Sequence, residues 1–329
     1  MIDLSTKYLG LTLKNPLIVG SSGLTNSLED IKDLEKKGAG AVVLKSIFEE
    51  EILMEYEQEL KNVAFDDNNL EYYDYFDYKI KEENLGKYIA LIESCKKEVN
   101  IPVIASINCI SSAEWSLFAK KIQDAGASAL ELNAFILPTD LTRSGAETEQ
   151  LYFDIIKNVK KVVRIPVSLK ISYYFSNVAQ MIQQLSETDI AGLVLFNRFY
   201  SPDFDIENRK VLSTHVLSSP QDLAISLRWI AIMANRVNCS LAASTGVHDG
   251  EAFIKQLLAG ADAVQVVSTL YKNGTDQITR ILNDLEDWMR KNKYAAIADF
   301  KGQMSQENSH NPAIFERVQF MKYFGEMKK

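Results

Sequence analysis

Four side chains combine a charge or a carboxamide with a place at the end of an apolar run. They are Lys45 after "AVVL", Asn133 after "ALEL", Lys170 within "PVSLKI" and Asn197 after "GLVLF". A lysine at the end of a buried strand is costly unless it snorkels to water or meets an anion. An asparagine offers a donor and an acceptor together, which suits a flat imide or carboxylate ligand. The other apolar runs end in Ser21, Ser22 and Gly23, in Ser46 beside Lys45, in Asn108, in Thr245-Gly246 and in Val267-Ser268. Loops are polar in general, so each of these residues alone has an ordinary structural explanation. As a set, with two lysines among them, they point to a ligand site.

Eight runs must position those residues as strands: 16–20, 41–44, 102–107, 129–132, 166–171, 192–196, 240–244 and 263–267. Each is nearly continuous in apolar character, as parallel strands covered on both faces should be. Amphipathic helical patterns lie between them. Ser111-Ser-Ala-Glu114 is a capping-box signature ahead of Trp115, Phe118, Ile122 and Ala125. Ser176 precedes Val178, Met181, Ile182 and Leu185, Ser219-Pro220 pairs a cap with a proline at the first helical position, and Asp249 opens a further helix. "KKGAGAVVLKS", "QDAGASALELN" and "LLAGADAVQVV" repeat one helix-to-strand joint. Repeated joints with eight strands predict an α/β fold of the (β/α)8 TIM-barrel type. The rival is a doubly wound open sheet, but its Gly-x-Gly-x-x-Gly turn is absent.

The interval 46–101 is long for a barrel and contains "DDNNLEYYDYFDYKIKEEN", which is expected as an elaborated loop region over the mouth. An exposed charged insertion is the plainer alternative. Residues 1–303 are expected to form one barrel domain, with 304–329 a C-terminal helical extension around Ile314, Phe315 and Val318. Loops after the seventh and eighth barrel strands commonly hold phosphate on backbone N–H groups, which makes Thr245-Gly246-Val247 and Val267-Ser268 the expected anion site, with a plain turn after the strand as the alternative.

A net charge of −8, without a basic stripe, argues against a nucleic-acid partner. No apolar segment has membrane-spanning length, and Asp3 and Lys7 interrupt what a secretion signal would need, so the expected location is cytoplasmic. Three cysteines at wide, irregular spacings fit reduced thiols and no zinc site. No Ser–His–Asp arrangement can be assembled from the three histidines.

In order and spacing, "NPLIVGSSG", "VLKSI", "ELN", "SLKIS", "LFNR", "STGVHDGEAF" and "AGADAVQVVSTLYKNG…IADFKG" resemble the dihydroorotate dehydrogenase family of FMN-dependent (β/α)8 enzymes, and its soluble class 1 members in particular. The resemblance covers roughly 2–303, is most specific over 240–303 and is weakest over 48–100. It implies FMN as cofactor, a small-molecule substrate, no membrane anchor and a homodimer. It further implies that Ser22 and Gly23 lie against the flavin and that Lys45 and Ser46 reach its ring and the substrate. Asn133 would contact both, Asn197 the substrate, and Lys170 the flavin N1/O2 edge. Thr245, Gly246, Val267 and Ser268 would hold the phosphate through their backbone.

The chain departs from the family where the proton is removed. The family motif Asn-x-Ser-Cys/Ser-Pro-Asn reads Asn133-Ala-Phe-Ile-Leu-Pro here, so Ile136 occupies the base position and Pro138 replaces the second asparagine. An isoleucine accepts no proton. Cys109, Ser111, Ser112, Thr139, Tyr173 and His215 remain as substitute bases, each with a structural explanation of its own. The expected activity is hydride transfer between a small planar substrate, dihydroorotate or a related compound, and flavin N5. The alternatives are oxidation of a different CH–CH substrate, an FMN-binding sensor or scaffold of the same fold, and a phosphate-binding barrel without flavin.

Overall fold

A computed structural model describes residues 2–48, 70–108, 112–198, 201–212, 214 and 216–316. All eight apolar runs are strands of one closed parallel sheet: β3 (Leu17–Val19), β4 (Ala41–Val43), β6 (Val103–Asn108), β7 (Ala129–Asn133), β8 (Val167–Ile171), β9 (Gly192–Leu195), β12 (Ser240–Ser244) and β13 (Ala263–Val266). Closure is made by β13 pairing with β3 and by β4 pairing with β6, in each case in parallel. The architecture is a (β/α)8 barrel. A short strand β5 (Ile47–Phe48) extends the pairing of β6, with Phe48 opposite Asn108, and β10 (Asp203–Asp205) and β11 (Lys210–Leu212) form a separate antiparallel pair after β9.

Alternation along the strands separates two apolar layers. Residues facing outward pack under the helices, and residues facing inward, among them Ile18, Val43, Ile104 and Val194, fill the lumen. The hairpin of β1 (Thr6–Tyr8) and β2 (Leu11–Leu13) seals one end and adds Tyr8, Leu9 and Leu13 to that lumen core. Leu9 N–H donates to Ser240 Oγ at 3.1 Å, and Thr6 Oγ1 donates to Asp262 O at 3.0 Å. Both partners stand where strands begin, so the plugged end is the N-terminal one and the C-terminal ends stay open for ligand.

The helices follow their periodic apolar residues. In α9 (Gln277–Asn292), Ile278, Ile281, Leu282, Leu285 and Met289 form one buried face. Each such side chain contributes roughly 1.5–3 kcal/mol of burial. α4 (Gly145–Val162) is capped by Ser144. α1 (Leu28–Lys37) is capped by Ser27, and α7 (Gly250–Ala259) by Asp249, whose carboxylate accepts from Ala252 N–H at 2.8 Å. α1 and α7 end at the repeated joint, on Gly38 and Gly260 in left-handed backbone.

Three local expectations change. From Leu70 onward the interval after β4 is the single helix α2 (Leu70–Glu98) and not a loop. Leu85, Tyr88, Ile92 and Cys95 recur every three to four residues and are buried, and that apolar stripe outweighs the acid-rich and tyrosine-rich start. Asn177, not Ser176, caps α5 (Val178–Ser186), accepting from Gln180 N–H at 3.1 Å. Ser219-Pro220 opens a 3-10 turn, Pro220–Asp222, and α6 (Leu223–Met233) follows it. Ser111, the expected cap of α3 (Ser112–Ala125), lies outside the described residues, as does Val318 of the C-terminal segment. Within that segment, Met304 N–H and Gln306 N–H donate to Leu258 O and Ala231 O, each at 2.8 Å, so it packs back on α6 and α7 before a short helix, Ala313–Glu316.

Candidate active site

The open end of the barrel brings the chemically equipped strand tips together. Asn133, the last residue of β7, stands in register with Lys170 of β8. Asn197 N–H donates to Ile171 O at 2.7 Å, which fixes it at the end of β9, and its Nδ2 donates to Asn133 Oδ1 at 2.5 Å. Two carboxamides from strands separated by β8 therefore share one hydrogen bond. Each keeps donor or acceptor capacity for a further partner.

Below them lies a polar cluster that the strand pattern hid. Lys170 Nζ donates to Gln265 Oε1 at 3.0 Å, and Gln265 Nε2 donates to Glu131 Oε2 at 2.5 Å. Glu131 Oε1 lies 3.9 Å from Lys170 Nζ, with side-chain exposures of 1% for the acid and 12% for the lysine. Burial raises the Glu131 carboxyl above the usual carboxylate range, with Lys170 and the Gln265 hydrogen bond opposing it. Glu131 and Gln265 sat inside "ALEL" and "AVQVV", read as apolar strands. The signal was available, since a polar residue at an inward position of a buried strand needs a partner.

A cavity of about 260 Å³ opens over this cluster, and its wall includes Lys170, Asn197, Gly246, Gln265, Ser268 and Tyr271. Thr245 and Gly246 both adopt left-handed backbone, with φ of 78° and 81°. A Cβ on Gly246 would fall 2.1 Å from Leu223 N, so the chain passes where only glycine fits. Thr245 Oγ1 donates to Phe196 O at 3.2 Å and fixes the turn. Across the cavity, Val267 precedes α8 (Ser268–Asn273), whose Ser268 and Thr269 N–H groups come before its first backbone bond, Leu270 N–H to Val267 O at 2.9 Å. Ser268 Oγ accepts from Ser218 N–H at 2.9 Å, and Lys272 Nζ donates to Ser218 O at 2.6 Å. His248 Nε2 lies 3.1 Å from Ser218 Oγ, and burial lowers its pKa. A glycine turn, a helix start and an ammonium are a donor set for a phosphate.

The remaining expected residues border this wall less directly. Ser22 caps the turn Gly23–Thr25, and its Oγ donates to Gly20 O at 3.3 Å. Gly23 faces Tyr271, where a Cβ would come within 2.9 Å of the phenol oxygen. Ser46 is buried. Its Oγ lies 3.0 Å from Ser21 Oγ, which lines the cavity, and 2.7 Å from Ser106 Oγ. Lys45 is half-buried between β4 and β5. A smaller adjoining cavity, about 110 Å³, shares Asn197, Arg198 and Thr245 with the first and is walled by Tyr173 and Phe196.

Of the substitute bases, Cys109, Ser111 and His215 lie outside the described residues. Thr139 is exposed in the loop after β7. Ser112 begins α3. Tyr173 packs edge-on against Phe196, and burial raises its phenol further above neutrality, which disfavours a basic phenolate. Ile136 is half-buried against the outer core. Among the described residues no cluster of His, Cys, Asp and Glu could hold a metal ion, and no helix is long and apolar enough to cross a membrane.

The fold and the mouth define a class: a (β/α)8 barrel whose open end holds a glycine turn, a lysine and paired carboxamides. Comparison with known proteins narrows it. The sequence model described as dihydroorotate dehydrogenase matches residues 68–289. A protein of Thermoplasma volcanium named "dihydroorotate dehydrogenase B (NAD(+)), catalytic subunit" is 26% identical over 316 residues, 92% of this chain and 98% of the relative. Proteins with the same name in Thermoplasma acidophilum and Methanocaldococcus jannaschii are each 26% identical, covering 92% and 88% of this chain and 99% and 94% of their own length. The chain belongs to the dihydroorotate dehydrogenase family, whose members are oxidoreductases acting on CH–CH bonds.

Proposed function

We propose that this protein is an FMN-dependent oxidoreductase that removes hydride from a small planar substrate, dihydroorotate or a close relative. The carrying observation is the cavity that joins a glycine-only turn at Gly246 to the fixed ammonium of Lys170. Thr245, Gly246, Val267 and Ser268 would hold the phosphate through their backbone, with Lys272 supplying positive charge. Ser22, Gly23, Lys45 and Ser46 would border the ring, and Lys45, Asn133 and Asn197 would orient the substrate. FMN, when bound, supplies a two-electron acceptor at N5.

The chain's own residues supply orientation and charge. Lys170 is held before any ligand arrives, so its ammonium needs no reorganisation when negative charge develops beside it. The Asn133–Asn197 hydrogen bond sets both carboxamide planes and presents them to a flat ligand from one side. Removal of the substrate proton has no dedicated acceptor at the family position, because Ile136 carries none. That substitution favours a second reading, an FMN protein of this fold that acts on another CH–CH substrate or binds FMN without efficient dihydroorotate oxidation. The relatives' printed names, with "NAD(+)" and "catalytic subunit", also support work beside a partner subunit with NAD as electron acceptor. A cytoplasmic homodimer is the reading that the family resemblance implies.

Anaerobic addition of dihydroorotate to the purified protein separates these readings. Loss of the flavin's visible absorption at the rate of steady-state turnover supports the first. Unchanged absorption, with bleaching by dithionite, supports the second.

A further inference from the structure

The proposed roles leave Glu131 unexplained. It is a fully buried acid in the lumen, two residues before Asn133 and therefore on the same inward face of β7. One carboxylate oxygen accepts from Gln265, and the other makes no hydrogen bond and lies 3.9 Å from Lys170 Nζ. Gln265 is itself buried, and its two amide ends are committed in opposite directions, Oε1 to Lys170 and Nε2 to Glu131. The bridge thus has a fixed polarity: the amide can satisfy both neighbours in only one orientation. The other groups facing Glu131 carry no charge at neutral pH. Ser106 of β6 and Ser168 of β8 stand in register with it. The Tyr8 and Tyr88 phenols feel its charge, and burial keeps both protonated. Lys170 is the cation of this cluster.

We propose that Glu131 is a positioning residue which, through Gln265, holds the Lys170 ammonium at the cavity wall and offsets part of its charge there. The inference rests on the FMN reading for its consequence and on the hydrogen-bond geometry for its substance. The acid lies beneath the floor and does not touch the cavity, so it acts on a ligand only through Lys170 and its field. A carboxylate beside that ammonium disfavours a negative charge on the ligand above. Without the carboxylate charge, the ammonium would act on the ligand undiminished.

The test is a double-mutant cycle with Glu131→Gln and Lys170→Met, using Lys170→Gln where the methionine variant does not fold. The amide oxygen of E131Q can still accept from Gln265 Nε2, so shape is kept and charge removed. In the FMN-loaded protein, E131Q is expected to shift the oxidised-to-reduced ratio at least tenfold toward reduced flavin, about 30 mV for two electrons. The same change on the K170M background is expected to shift it far less. A purely structural Glu131 would alter melting without moving the potential, or would move it equally on both backgrounds, and either result overturns the proposal.

Thermal unfolding of the same preparations across roughly pH 5 to 8 gives a readout independent of flavin. Burial raises the folded pKa of Glu131, so its contribution is present at low pH and lost as rising pH ionises the carboxyl. E131Q should flatten that loss, and K170M should steepen it. Non-additive effects of the pair show that Glu131 acts on Lys170 even if the protein holds no FMN, and the shift in flavin potential is what separates positioning from a structural pair. Additive effects overturn it.

Discussion

Asn197 and Asn133 bond side chain to side chain across the end of β8, with Nδ2 of the first donating to Oδ1 of the second at 2.5 Å. This couples the two carboxamides proposed to orient the substrate, which belong to different strands. Asn197→Ala removes one carboxamide and frees the other to rotate. A loss of roughly 1–3 kcal/mol in transition-state binding is expected, a fall of about 5- to 150-fold in kcat/KM with the melting temperature nearly unchanged. Steady-state kinetics beside a melting curve measure both. An unaffected kcat/KM would remove Asn197 from the substrate site.

Ile136 explains why dihydroorotate oxidation should be slow. General base catalysis typically contributes about 10²- to 10⁴-fold, so Ile136→Cys or Ile136→Ser should accelerate anaerobic flavin reduction by dihydroorotate by about 10²-fold or more. The acceleration should grow with pH as the introduced cysteine ionises. No acceleration would mean that the proton leaves by another group or that the substrate is a different compound.

Gly246→Ala tests the proposed phosphate site. The added methyl would meet Leu223 N at 2.1 Å, and a left-handed backbone adds strain for any side chain. A stability loss of about 2 kcal/mol or more is expected, with a weakened affinity for FMN. Chemical denaturation and quenching of FMN fluorescence report the two effects separately. Full affinity in a folded G246A protein would move the phosphate elsewhere.

Lys170→Met leaves Glu131 buried without its cation. Breaking a buried pair costs about 3–5 kcal/mol when the remaining partner stays charged. Here the carboxyl can take up a proton, because burial already raises its pKa and the lysine that opposed that rise is gone. The variant should therefore be near wild-type stability in mildly acidic buffer and progressively less stable as pH rises. Denaturant midpoints measured over that range check the sign, and a pH-independent difference would contradict it.

The barrel was legible because eight covered strands must be apolar on both faces, which leaves short unbroken runs that a helix surface would interrupt. The same property hid Glu131 and Gln265, since one polar residue in a run of four or five does not alter its character. Their meaning depends on partners 134 residues apart in sequence. Asn133, Lys170 and Asn197 could be located because each stands at or near the end of a run. Helix α2 was missed at its acidic, tyrosine-rich start because charge there resembles loop. Its stripe from Leu85 to Cys95 was the usable signal. Nothing in spacing could show that Ser46 would reach the cavity through Ser21, because that contact is made only when β3 and β4 pair.

The most direct measurement is the visible spectrum and FMN content of the freshly purified protein, followed by titration of flavin-free protein with FMN. The expected result is a yellow protein that binds about one FMN per chain at a single mouth lined by Lys170 and Gly246. A colourless protein that neither gains a flavin spectrum nor quenches FMN fluorescence on titration would contradict it.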